Sequence, residues 1–260
     1  MKKTTVFVAV LLAVVSISSA AAEVVEIGAL TDNTLFEDLE GDVSNGAGVF
    51  FFAGATFVPE IRRGVIAFDI VGAVPEGATI DAVSLTLHMS KTIVGPQVVS
   101  LHRILADWGE GASDAPMEEG QGTEAERGDA TWVHSFFPTV NWNSPGGDFV
   151  VDPSGDALVA NIGFYTWSSA GMAADVQSWL DSPDGNFGWI VIGDETTVPS
   201  AKRFDSRENT DESERPVLAI EFTVGPDVPA SSAAGLILLV LALLAVGTLL
   251  VSRYRSAPTH

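Results

Sequence analysis

The chain has 260 residues, 13 of them basic and 34 acidic, for a formal net charge of −21, and it contains no cysteine. A surface that acidic repels nucleic-acid phosphates and anionic lipid headgroups, which excludes nucleic acid as a partner. The lack of thiols excludes disulfides and thiolate zinc sites, so the fold must hold by core burial, with a bound cation as the one remaining staple.

Residues 1–22 carry Lys2 and Lys3, an apolar run at 6–15 and then Ala20, Ala21 and Ala22 before Glu23. These are the three parts of a secretory signal peptide. From 23 to 225 the chain reads as one domain in which short strand-like runs alternate with turn clusters such as Pro75-Glu76-Gly77 and Pro183-Asp184-Gly185-Asn186. Strands are predicted at 24–27, 49–53, 64–69, 84–89, 98–105, 164–167, 189–193 and 218–224. The runs at 84–89 and 218–224 alternate polar and apolar residues, the mark of a half-buried antiparallel strand. Residues 107–129 hold eight acids, one arginine and five glycines. They are predicted to be a long irregular loop, and loops of that length are usually functional or disordered. One short helix is predicted where Met172, Val176, Trp179 and Leu180 recur at helical spacing, and it should cap one end of the core. Many short strands of this kind argue for an all-β, antiparallel β-sandwich of the jelly-roll type. Residues 226–232 form a linker or sorting motif. Residues 233–251 are charge-free and apolar over a length suited to a transmembrane helix. Arg253 and Arg255 follow it, which places the 252–260 tail in the cytoplasm and the domain outside.

The run Ala201-Lys202-Arg203-Phe204-Asp205-Ser206-Arg207-Glu208-Asn209, with Arg215-Pro216-Val217-Leu218 after it, resembles the closing signature of DNRLRE-domain proteins. Earlier pieces fall in the same order: Phe68-Asp69, the Pro75 to Ile80 run, Asp107-Trp108-Gly109-Glu110-Gly111, Asp129-Ala130-Thr131-Trp132 and Pro145-Gly146-Gly147-Asp148. The resemblance covers nearly the whole of 23–225, although Asp205-Ser206 is followed directly by Arg207-Glu208, a departure from the motif that names the family. It implies a β-sandwich similar to carbohydrate-binding modules, some of which bind acidic polysaccharides, displayed on bacterial surfaces without catalysis. The tail, Val228-Pro229-Ala230-Ser231-Ser232 followed by the apolar stretch and Arg253-Tyr254-Arg255, resembles PEP-CTERM and IPTL-CTERM sorting signals. That resemblance implies a sorting peptidase as a partner, with plain single-pass anchoring as the alternative.

The expected function is thus a cell-envelope module that binds polysaccharide or mediates adhesion. The alternatives are a structural envelope protein without ligand and a polysaccharide-active enzyme. Nucleophile-elbow, zincin and phosphate-loop patterns are absent from the sequence. A glycosidase pair of carboxylates stays open, because acids are plentiful and sequence does not show which two face each other. Trp108, Trp132 and Trp142 lie in loop-like segments and are the candidate sugar-stacking platforms. Arg203 and Arg207 are candidate clamps for uronate or sulfate groups. On the competing reading Arg207 pairs with Asp69 or Glu208 and pins the last strand. Calcium needs about six to eight oxygens at roughly 2.3–2.6 Å, and Glu37, Asp38, Asp42 and Asn45, with Asp107, Glu110 and Asp114 of the loop, are its candidate ligands. His88 and His102 are placed on neighbouring strands, as solvent-facing residues or as sugar or metal contacts.

Overall fold

The computed structural model describes residues 22–225. The expected signal peptide, apart from Ala22, and the expected sorting motif, membrane helix and tail lie outside the described residues. Among those described, no helix is long and apolar enough to cross a membrane.

The protein is mostly β, with one large curled antiparallel sheet and few helices. In chain order the strands are β1 (Ala22–Gly28), β2 (Thr31–Phe36), β3 (Val43–Ser44), β4 (Phe50–Ala55), β5 (Ile61–Ala67), β6 (Thr79–Thr92), β7 (Gln97–Arg103), β8 (Thr123–Glu124), β9 (His134–Phe136), β10 (Val140–Asn141), β11 (Gly155–Val159), β12 (Gly163–Ser168), β13 (Trp189–Ile192), β14 (Lys202–Asp205) and β15 (Val217–Thr223). Two helices join them, α1 (Ile70–Ala73) and α2 (Ala170–Asp181). The large sheet runs β1-β15-β6-β14-β4-β5-β13-β7-β11, with β12 also on β6 and β2 also on β5.

β4 carries the sheet around its corner. Its residues Phe50 to Ala53 pair with β14, while Gly54 and Ala55 pair with β5. Gly54 sits at φ +110, where an added Cβ would also come within 3.0 Å of the Ser200 backbone, so the bend requires glycine. The curl brings two flanks of sheet onto one core. β6 points Val83, Leu85, Leu87 and Met89 inward at every second residue, as its alternation predicts, and β15 does so with Leu218, Ile220 and Phe222. From the other flank come Ile66, Val99, Leu101, Trp189 and Val191. Trp167 and Trp189 are fully buried there. Each removes on the order of 150–250 Å² from water, worth about 4–6 kcal/mol of transfer free energy.

The flank containing β2, β5 and β13 is covered on both faces. Trp189 and Val191 of β13 enter the main core, whereas Ile190 between them joins a second cluster with Leu35, Val65, Ile104, Trp108, Trp132 and Trp142. That outer layer comes from the chain between Ile104 and Phe149, which includes the 107–129 segment. It is tied down by Asn33 Nδ2 to Glu110 O at 2.8 Å, by Asn45 Oδ1 accepting Ala115 N–H at 2.9 Å, and by the β3–β8 pairing.

α2 forms as expected. Ser169 caps it by accepting Met172 N–H at 3.1 Å, and Met172, Val176, Trp179 and Leu180 are its buried residues. Trp179 meets Trp189 edge-on at 4.6 Å. Two expectations need correction. β5 ends at Ala67, and Asp69 instead caps α1 by accepting Gly72 N–H. β6 and β7 are consecutive but not paired, so His88 and His102 lie on different flanks.

Candidate functional site

Among the described residues, a concavity with both polar and apolar walls lies where β7 runs out. Beyond Arg103 the chain continues beside residues 148–150: Val150 N–H donates to Arg103 O at 2.9 Å, Leu105 N–H to Asp148 O at 2.9 Å, and Ile104 bridges Phe149. The preceding turn is closed by Asp148, whose carboxylate accepts Asn143 N–H, Asn143 Nδ2 and Ser144 N–H at 2.8, 2.9 and 3.1 Å. Gly146 lies at φ +90 and donates to Trp132 O at 2.6 Å. A Cβ there would meet Arg63 Nη1 at 2.6 Å and the Trp132 ring at 2.8 Å, so the turn packs this closely only without a side chain.

Arg63, from β5, forms the floor. Its guanidinium lies 4.8 Å from the Trp132 ring centre and 5.3 Å from that of Phe149. Nε and Nη2 grip Glu195 at 2.6 and 2.9 Å, and Nη1 donates to Gly146 O at 2.8 Å. The charge is thus neutralised and the group immobilised. Above it opens a cleft of about 390 Å³ lined by Leu105, Asn143, Asp148, Phe149 and Val151. A second depression of about 210 Å³, with Arg103, Ser178, Ser182 and Phe187, shares Leu105 with the first. Leu105 and Val151 are 54% and 83% exposed and give the cleft apolar surface. Arg103 is paired only loosely, Nε lying 3.6 Å from Asp175 Oδ1.

The predicted stacking platforms are corrected. Trp108, Trp132 and Trp142 are 7%, 7% and 5% exposed. Trp108 Nε1 donates to Phe187 O at 2.8 Å and Trp142 Nε1 to Thr131 O at 2.9 Å, so both indoles are satisfied internally. Irregular backbone suggested exposure, but the segment folds flat over the sheet and buries its aromatics. Their contribution to the cleft is from behind, with Trp132 supporting Arg63.

Arg203 lies on the outer face of β14. Its Cζ is 3.6 Å from the Phe50 ring centre, with Nε on Ser90 Oγ at 3.0 Å and Nη1 on Glu118 Oε2 at 2.6 Å. Lys91 shares that carboxylate at 2.8 Å, and its hydrogen bond, joined by the charge of Arg203, holds Glu118 below the usual carboxylate range. Arg207 follows the structural reading with a different main partner. It makes a bidentate pair with Glu110, 2.6 Å on each oxygen, and a further contact with Glu208 at 2.9 Å. It therefore pins the acidic segment and leaves Asp69 uninvolved. Burial, first of all, raises the Asp32 carboxyl well above the usual range, and the neighbouring Glu208 and Glu110 add to this, while the Arg207 N–H it accepts opposes it. Burial likewise raises Glu208 and Glu119.

The calcium candidates are not gathered around a common point. Glu37 accepts Ile61 N–H at 2.8 Å, Asp38 accepts Gly41 and Asp42 N–H, and Asp107 accepts Trp108 N–H. Asn45 bonds Phe50 O and Glu119, and Glu110 is held by Arg207. Among the described residues, the three donors that do converge are His88, Asp205 and Glu214, whose ligating atoms lie within 4.8 Å of one another. Sequence reasoning singled out His88 but had no means of joining it to two acids more than a hundred residues away. No family model and no curated protein matches the chain.

Proposed function

We propose that residues 23–225 form a non-catalytic surface module of the cell envelope that binds polysaccharide in the groove centred on Leu105. The observation that carries this reading is the cleft of about 390 Å³ joined at Leu105 to the depression of about 210 Å³. The first is within the range of about 300–1,000 Å³ usual for ligand sites, and two depressions in series suit an extended chain better than a single small molecule. Exposed Leu105 and Val151 with the partly buried Phe149 offer apolar surface to the C–H faces of sugar rings, and Asn143 and Ser144 offer polar groups at the rim. Because Arg63 is already neutralised by Glu195 and the chain carries −21, neutral glycans fit better than acidic ones. The resemblance to DNRLRE-domain proteins supports both the polysaccharide reading and a sandwich of jelly-roll type, which accords with the curled sheet. Export by a signal peptide and retention by the C-terminal apolar helix, with or without a sorting peptidase, complete the proposal. Asp148 is the one carboxylate among the residues lining the cleft, whereas glycoside hydrolysis ordinarily requires two, and this favours binding over catalysis.

The test is retention of the purified chain on a panel of immobilised neutral and acidic polysaccharides, run with calcium and with chelator, while released sugar is measured. Retention on neutral polymers without release is expected. Failure of the folded protein to bind any of them would favour the structural envelope role, and release of sugar would favour the enzyme.

A further inference from the structure

On the outer face of the first flank, away from the groove, three segments meet at His88. β14 pairs with β6 with a shift of register between Arg203 and Phe204: Arg203 lies opposite Lys91, but Phe204 lies opposite Met89. The bulge drops Ser90 from the pairing and brings the next residues, Asp205 and His88, side by side on the face opposite the core. Their side chains meet at 2.5 Å, His88 Nδ1 to Asp205 Oδ2. The third residue arrives from the connection between β14 and β15. There Asp211 caps a single 3-10 turn by accepting Ser213 N–H, and Arg215 Nε holds Asn209 O at 2.7 Å. This places Glu214 Oε1 3.7 Å from the same His88 nitrogen. The Phe164 ring, 4.6 Å from the imidazole, walls one side.

An ion pair alone leaves one feature unexplained. Asp205 is 1% exposed, and its second oxygen, Oδ1, is buried without a hydrogen-bond partner. Leaving a buried carboxylate oxygen unbonded is costly, and native structures rarely tolerate it. That oxygen belongs to the carboxylate that touches His88, so it borders the point where the three donors converge.

We propose that His88, Asp205 and Glu214 bind a divalent cation of the zinc type. One imidazole nitrogen and two carboxylates form a borderline donor set, suited to zinc and its first-row neighbours rather than to calcium, which takes oxygen ligands. With bonds of about 2.0–2.2 Å, tetrahedral donors stand roughly 3.4 Å apart. The Glu214 separation of 3.7 Å already approaches this, and the His88–Asp205 hydrogen bond would open as the metal displaces its proton. Glu214 is 36% exposed at its side chain, so the fourth position faces solvent and would hold water. The cation would join residues 88, 205 and 214 across the sheet, in a chain that has no disulfide to do so. This site is separate from the groove and independent of the polysaccharide reading.

The test is calorimetric titration of the chelator-stripped chain with zinc chloride, with calcium and magnesium chlorides as controls, alongside thermal unfolding with and without zinc. One zinc per chain, a raised unfolding midpoint and no comparable response to calcium or magnesium are expected. His88→Ala and Glu214→Gln should each weaken binding by about 100-fold or more, beyond the roughly 10–100-fold loss typical of a group that only supports a ligand. Glu214→Gln changes a partly exposed side chain and keeps the test decisive if His88→Ala does not fold. Absence of saturable zinc binding by the folded chain, or binding unchanged in Glu214→Gln, would overturn the proposal.

Discussion

Arg207 shows how one cation can organise several acids. Its guanidinium faces Glu110 and Glu208 directly while its backbone N–H holds Asp32, so two carboxylates share the guanidinium and a third sits on the amide. Arg207→Ala keeps the amide that holds Asp32 but leaves Glu110 and Glu208 without their counter-charge. Since the side chain is 37% exposed, water recovers part of the loss, and urea unfolding at neutral pH should show a decrease of about 2 kcal/mol. Arg207→Lys should restore only part of it, because an ammonium cannot reproduce the fork. Asp32 makes a complementary prediction. Its folded-state pKa lies well above 3.8, the ordinary value, chiefly through burial, so the folded protein binds a proton that the unfolded chain has already released. Its contribution to stability is therefore fully present below 3.8 and is lost as pH rises through the raised value. Denaturation followed from acid to neutral pH should show a smaller loss in Asp32→Asn than in the parent chain. Only part of this is legible in the sequence. Sequence reasoning chose Arg207 and Glu208 correctly as partners, yet Glu110 lies 97 positions from Arg207 and only the fold brings them together.

At the scale of elements, the strands that were read correctly bury one face. β6 and β15 alternate because their outer residues meet solvent or a polar loop, and that pattern survives in sequence. β2 escaped notice because Asp32, Asn33 and Thr34 are buried polar residues under the outer layer, so its composition resembles a loop. The same layer buries Trp108, Trp132 and Trp142, because its irregular backbone packs on the sheet instead of standing in solvent. Lys202 is another hidden member. Fully buried on β14, its ammonium donates to Thr92 Oγ1 and to the carbonyls of Val94, Gly95 and Ala160, which ties the β6–β7 turn to the β11–β12 turn. Lys202→Met keeps the length of the side chain but frees those acceptors, and a loss of about 3 kcal/mol is expected in chemical denaturation. Gly146→Ala acts on the groove. Its positive φ and its closeness to Arg63 and Trp132 should cost about 1 kcal/mol or more, and retention on polysaccharide should fall because the turn must move away from the floor.

Residues 22–225 form a curled sheet, closed by α2 on one side of its core and thickened by an irregular layer on one flank. Composition indicates an acidic, disulfide-free protein, and the sequence pattern locates most long strands and the one sizeable helix. The groove was not foreseen, because its walls come from the end of β7, the 143–151 turn and α2, which no local pattern connects. The central claim is that this groove, and not apolar exposure in general, holds polysaccharide. Affinity for the best-retained polymer, measured by calorimetry, should therefore be compared among the parent chain, Leu105→Glu in the groove and Phe57→Ser, which removes an aromatic ring that is 72% exposed in the turn between β4 and β5. The account predicts that Leu105→Glu loses binding while Phe57→Ser matches the parent. Equal binding by all three folded proteins, or equal loss in both variants, would contradict it.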